Sequence, residues 1–185
     1  KPMTDRTKNL LVGLTVLIQR LAWRAPERSP NIVLISIDTL RPDHLSAYGH
    51  PIDTSPTLVG LARAGVTFAN AYSTSSWTAP AVVSLLTSVL PIRHGVIHGV
   101  IRQGLLFGQE TVPTDLPILA DTLRQHGYRT LGVAANVHLE GEFGFARGFD
   151  RYSCVGFVDA EKVLEVVRTW KPEIKLGGPY FAWVH

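Results

Sequence analysis

Long apolar runs and helix-spaced apolar stripes follow one another along this chain. The run Ile32-Val33-Leu34-Ile35-Ser36-Ile37 predicts a strand over 31–37, apolar on both faces, as in the centre of a parallel sheet. Asp53-Thr54-Ser55-Pro56 then carries cap-and-proline chemistry. Leu58, Leu61 and Ala62 follow at helical spacing, and Gly65 closes the helix. Val66 to Tyr72 alternates and predicts a strand. Pro80 sits just inside a further helix that runs through Val83, Leu86 and Thr87 to about Val89, where Pro91 stops it. Residues 95–112 are glycine-rich without a clean period and read as loop. Asp115 to His126 predicts an amphipathic helix with Leu116, Leu119, Ala120 and Leu123 on one face, ended by Gly127. Arg129 to Ala134 reads as a second buried strand. Ala160 to Trp170 reads as a helix striped by Val163, Leu164, Val166 and Val167, and Phe181 to Val184 as a last strand.

Strands that alternate with helices across short turns predict an α/β fold: three layers, α/β/α, around a mostly parallel sheet. Ligands gather at the C-terminal ends of such strands. Asp38, Asn136, His138 and His185 all stand at or just past strand ends. The last strand stops as it reaches that edge, which predicts an incomplete domain and a chain that is an inactive fragment by itself.

The N-terminal stretch reads differently. Arg6 and Lys8 precede an apolar run from Leu10 to Ile18. It is shorter than the roughly 20 residues of a membrane span and fits a signal peptide, a signal anchor or the stub of a truncated span. The polar, proline-bearing linker Arg24 to Pro30 follows. The expected division is therefore 1–30 and 31–185, with an extracytoplasmic location and membrane association through the first segment. The chain has 185 residues, 45% of them apolar, which is enough for one domain with a core. A net charge of +3 with interleaved signs excludes a nucleic-acid footprint. The single cysteine, Cys154, excludes an internal disulfide and reads as a packing residue.

Three residues could carry chemistry. Asp38, directly after six strand residues, is a metal ligand, a cap or a turn former. Thr78, at the mouth of a helix, is an N-cap or a nucleophile beside an anion site, because a helix N-terminus offers free N–H groups and partial positive charge. His138, just past a strand, is structural or catalytic.

Four segments, in this order, go further: NIVLISIDTLRPDHLSAYGH, SSWTAPAVVSLLTSVLPIRHGV, LPILADTLRQHGYRTLGVAANVHL and FGFARGFDRY. Together they resemble the N-terminal part of a sulfatase, in the alkaline phosphatase superfamily, over residues 31–185. The resemblance implies that Asp38 binds one divalent cation (Ca²⁺, Mg²⁺ or Mn²⁺) and that Thr78 holds the nucleophile position beside it and shares the metal. Ala135-Asn136-Val137-His138 is similar to a Gly-Lys-x-His motif. It implies that Asn136 contacts the substrate anion and that His138 is a proton donor or anion contact. The remaining metal ligands of the family have no counterpart in these residues.

The chain departs from that pattern at three positions. Thr39 stands where many sulfatases have a second acid. Asn136 stands where the family has lysine. The formylglycine motif, Cys/Ser-x-Pro-Ser/Ala-Arg, is here Thr78-Ala79-Pro80-Ala81-Val82, so formylglycine is not expected. A threonine nucleophile resembles instead the phosphoethanolamine and phosphoglycerol transferases of the superfamily. The implied activity is a metal-dependent hydrolase or transferase acting on a small-molecule, glycan or lipid sulfate or phosphate ester. The competing expectation is a non-catalytic sulfatase-like binding protein.

Overall fold

The computed structural model describes residues 29–98, 100–103 and 106–185. The chain divides into Lys1–Pro30 and Asn31–His185. The apolar run 10–18 lies outside the described residues.

The second unit is built on a four-stranded, all-parallel sheet. Its strands are β1 (Ile32–Ile35), β4 (Arg129–Ala134), β5 (Arg151–Cys154) and β6 (Tyr180–Val184), in the order β1-β6-β4-β5. The expected three-layer α/β architecture is therefore present. Alternation along each strand sends side chains to opposite faces. Phe181 and Trp183 on one face meet Ala79, Val82, Val83 and Leu86 of α2 (Thr78–Thr87) and Ala120 of α4 (Leu119–Gln125). On the other face Leu131, Val133 and Ala182 meet Val163 of α5 (Ala160–Arg168) and Trp170. The remaining helices are α1 (Pro56–Ala64), α3 (Pro91–His94) and α6 (Lys171–Lys175).

Several expectations need correction. The first strand is not central: β1 is an edge strand of the described sheet. Only Ile32 and Leu34 pack against the core, while Val33 and Ile35 are 54% and 63% exposed. The predicted strand at 66–72 does not form. No described strand pairs with it, and Val66, Phe68 and Tyr72 are exposed. The predicted loop at 95–112 contains an antiparallel hairpin, β2 (Val100–Gln103) with β3 (Leu106–Gln109). A main-chain ladder needs no apolar period, so none was visible. The helix expected from Asp115 starts at Leu119. Pro117 biases Leu116 away from helical geometry, and the Arg147 guanidinium takes the carbonyls of Pro113 and Leu116. The strand β5 had no strong pattern, being short and with Arg151 exposed.

Candidate active site

Asp38 and Thr78 meet. Thr78 Oγ1 lies 3.2 Å from both carboxylate oxygens of Asp38. Two elements bring them together. Ser36 N–H donates to the Val184 carbonyl at 3.0 Å, which carries the β1–β6 ladder past Ile35 and fixes where the chain leaves the sheet. At the next step Thr39 takes φ 53°. That left-handed conformation is unfavourable for a β-branched residue, and such strain gathers at functional sites. The turn lets Thr39 N–H donate to Asp38 Oδ1 at 3.1 Å, which helps hold the carboxylate.

On the other side, α2 presents its N-terminus. The capping position is Trp77, without a side-chain cap, so Thr78 is the first helical residue. The bland reading of Thr78 as an N-cap is thereby excluded: its hydroxyl serves Asp38, not its own helix. Ser75 holds the approach, its Oγ accepting from Trp77 N–H at 3.1 Å. The first-turn N–H groups of a helix have no helical partner, and their partial positive charge faces the same place.

Asn136 supports the carboxylate from behind. It is buried, 3% exposed, and its Nδ2 donates to Asp38 Oδ2 at 2.7 Å. Its Oδ1 accepts from His138 N–H at 2.9 Å, capping the turn Val137–Leu139. One side chain thus ties the end of β4 to the end of β1. His138 stands on that turn, its ring 5.6 Å from Trp77 in an edge-on arrangement. Val82, at the arginine position of the formylglycine motif, lies in the apolar core.

Asp38, Thr78, Trp77, Ser36 and His185 line a cavity of about 610 Å³, together with the hydroxyl-rich stretch Ser73 to Ser76. Ser36, Trp183 and His185 escaped the reading of the sequence as a linked group. Trp183 Nε1–H donates to Ser36 Oγ at 3.0 Å, and Ser36 Oγ lies 2.8 Å from His185 Nδ1. The visible signal was the lone hydroxyl in an otherwise apolar strand. Burial pushes the His185 imidazole below its ordinary pKa, and the charge of Asp38 opposes that shift.

Carboxylate and hydroxyl oxygens are the donors that hard divalent cations take. Asp38 and Thr78 therefore fit as part of a cation shell. Among the described residues no group of three or more His, Cys, Asp or Glu completes one.

The sulfatase family model matches residues 30–161. The chain belongs to the sulfatase family. Bovine arylsulfatase A is 38% identical over 133 residues, covering 70% of this chain and 25% of that protein. A protein solved with its substrate D-glucosamine-2-N,6-O-disulfate superposes with a TM-score of 0.67 at 19% identity, covering 85% of this chain and 34% of that one. Phosphonate monoester hydrolase of Agrobacterium radiobacter superposes with a TM-score of 0.57 at 24% identity, covering 78% and 30%. The chain of this sulfatase-family protein spans about a quarter of the length of the curated relatives it matches. Both structural likenesses are to the fold.

Proposed function

We propose that this sulfatase-family chain carries the nucleophile side of a metal-dependent site that hydrolyses or transfers a sulfate or phosphate ester. The observation that carries the reading is the Thr78 hydroxyl at 3.2 Å from both oxygens of Asp38, at the N-terminus of α2. Thr78 Oγ1 is the attacking atom, and its proton passes to the carboxylate that already accepts from it. The new bond forms to sulfur or phosphorus, and the ester bond to the leaving alcohol breaks. His138 supplies the proton that the alcohol oxygen takes. The first-turn N–H groups of α2 balance charge on the anion's oxygens. Asn136, carried over as an anion contact, acts on the site through Asp38. A divalent cation held by Asp38 and Thr78 would add Lewis-acid polarisation and lower the hydroxyl's pKa. Water or an acceptor alcohol then releases the group from threonine. An extracytoplasmic setting accompanies this reading, on the strength of the apolar run 10–18.

In the intact protein, Thr78→Ala lowers turnover of an aryl sulfate or aryl phosphate by about four orders of magnitude or more. Turnover at the wild-type rate would remove Thr78 from the role. The competing reading is a non-catalytic anion binder, favoured by the uncharged Asn136 and the core-buried Val82. It predicts that the wild type binds sulfate or phosphate but turns over neither ester.

A further inference from the structure

Two open aromatic rings line the cavity that holds Asp38 and Thr78. Trp77 is 51% exposed and Tyr72 is 88% exposed. An aromatic side chain buries about 150–250 Å² when it is covered, so both rings leave a large apolar surface unused beside the reactive pair. Exposed apolar surface grouped in this way marks a binding site more often than a packing fault.

Trp77 is the better rooted of the two. Its N–H donates to Ser75 Oγ at 3.1 Å, and its carbonyl accepts from Ala81 N–H at 3.2 Å in the first turn of α2. Ser73 Oγ in turn donates to the Ser75 carbonyl at 2.6 Å. The helix start that presents Thr78 therefore also fixes the backbone that carries the indole.

His138 relates the indole to the chemistry. The two rings lie 5.6 Å apart, centroid to centroid, in an edge-on arrangement. In-line attack by Thr78 puts the leaving alcohol oxygen on the far side of the sulfur or phosphorus. That oxygen must come within about 3 Å of the group that protonates it. The carbon skeleton of the alcohol thus leaves the reacting centre beside His138, and the indole is the ring next to it. An indole face stacks on another flat ring at centroid separations of about 4.5–7 Å, and it covers the apolar face of a sugar in the same way. A methyl group or a short chain offers no such face.

We infer that Trp77 selects the leaving group, its indole stacking on a ring carried by the alcohol part of the ester. The inference rests on the reading of Thr78 as the attacking group and His138 as the proton donor, and it adds the class of alcohol to that reading. An aryl ring and a sugar ring share the chemistry that the indole recognises.

Carbon-linked anions, which cannot be cleaved, isolate the ring. Methanesulfonate and benzenesulfonate form one pair, methylphosphonate and phenylphosphonate another, and 6-deoxy-6-sulfoglucose carries a sugar ring on the sulfonate head. Each is titrated by calorimetry into the intact, metal-supplied protein, as wild type, Trp77→Leu and Trp77→Phe, with melting temperature recorded alongside. The wild type should bind a ring-bearing anion about 10-fold more tightly than its methyl partner. Trp77→Leu should lose that preference, and Trp77→Phe should keep part of it. A gain with the phenyl anions names an aryl alcohol, and a gain with 6-deoxy-6-sulfoglucose names a sugar; either supports the inference. A wild type blind to the ring overturns it. So does a ring preference that survives in Trp77→Leu, which would make the indole a packing residue. Should the variants not fold, ¹⁵N-tryptophan spectra of the wild type decide. A Trp77 indole resonance that moves with a ring-bearing anion but not with its methyl partner supports the stack, and an equal response to both refutes it. A wild type that binds none of these anions defeats the reading of the cavity itself, a result distinct from binding that ignores the ring.

Discussion

β4 and β6 are covered on both faces, whereas β1 is covered on one. Leu131, Val133, Phe181, Ala182 and Trp183 are all buried, by α2 and α4 on one side and by α5 and Trp170 on the other. On β1 the inward residues Ile32 and Leu34 join that core, and Val33 and Ile35 are exposed. α1, which follows, buries no residue at all. The site lies across this divide. Asp38 comes from the open side and Thr78 from the packed one. Asp38 keeps its place because the packed side reaches over to it, through Asn136 from β4 and through the β6 ladder at Ser36. The placement of the carboxylate is therefore a property of its neighbours more than of its own strand.

The sharpest way to break the comparison is to damage the packed side. Gly148 has φ 79°, and a Cβ there would run into the backbone nitrogen of Asp121. Asp121 lies in the first turn of α4 and receives Arg147 Nε at 3.0 Å. Neither strain nor collision can be relieved without moving α4 off the sheet. Gly148→Ala should cost about 3 kcal/mol or more, read as a fall in the chemical-denaturation midpoint. A loss under about 1 kcal/mol would show that this corner is looser than its contacts imply.

Much of this was legible beforehand, and the reason is local. Asp38 stood out because an acid directly after an apolar strand is conspicuous, and Thr78 because Pro80 marks a helix start. Their meeting was not derivable from local pattern: it depends on strand order, which places β1 beside β6. The Ser36–His185 link was hidden for the same reason, being a contact between strands distant in sequence. The error over β1 is also physical. An apolar run reports what a strand can bury. Burial of its second face needs a partner layer, and α5 covers β4 and β6 instead.

A smaller effect tests the joint behind the nucleophile. His94 is buried; its Nδ1 accepts from Val96 N–H at 3.1 Å, so its Nε2 carries the hydrogen offered to Ser84 Oγ at 3.1 Å. Ser84 lies on α2, so this pair ties the α3 turn to the helix that presents Thr78. Ser84→Ala should cost about 1 kcal/mol, one buried hydrogen bond lost while the Pro80 carbonyl still accepts from the His94 ring. Burial holds the His94 pKa below its ordinary value, with the hydrogen bond to the Pro80 carbonyl and the charge of Glu110 opposing. The sign follows. The unfolded histidine takes up a proton near pH 6.5 and the folded one only at lower pH. Stability is therefore full above that point and falls as pH drops below it. Denaturation midpoints across pH 5–8 should show this slope, reduced in His94→Gln. An unchanged slope in that variant would assign it to other groups.

The smallest expected effect falls on the open face, and it defines the comparison most closely. Ile35 is 63% exposed, so in this 185-residue chain Ile35→Thr removes little apolar area from contact and keeps the β-branched shape that suits a strand. The denaturation midpoint should move by less than about 0.5 kcal/mol. Val133→Thr, on β4 with both faces covered, puts a hydroxyl into the core and should cost about 1–3 kcal/mol. Equal losses at the two positions would mean that the outer face of β1 is covered in solution. Asp38 would then stand on a strand held from both sides, and its support could no longer be credited to Asn136 and β6 alone.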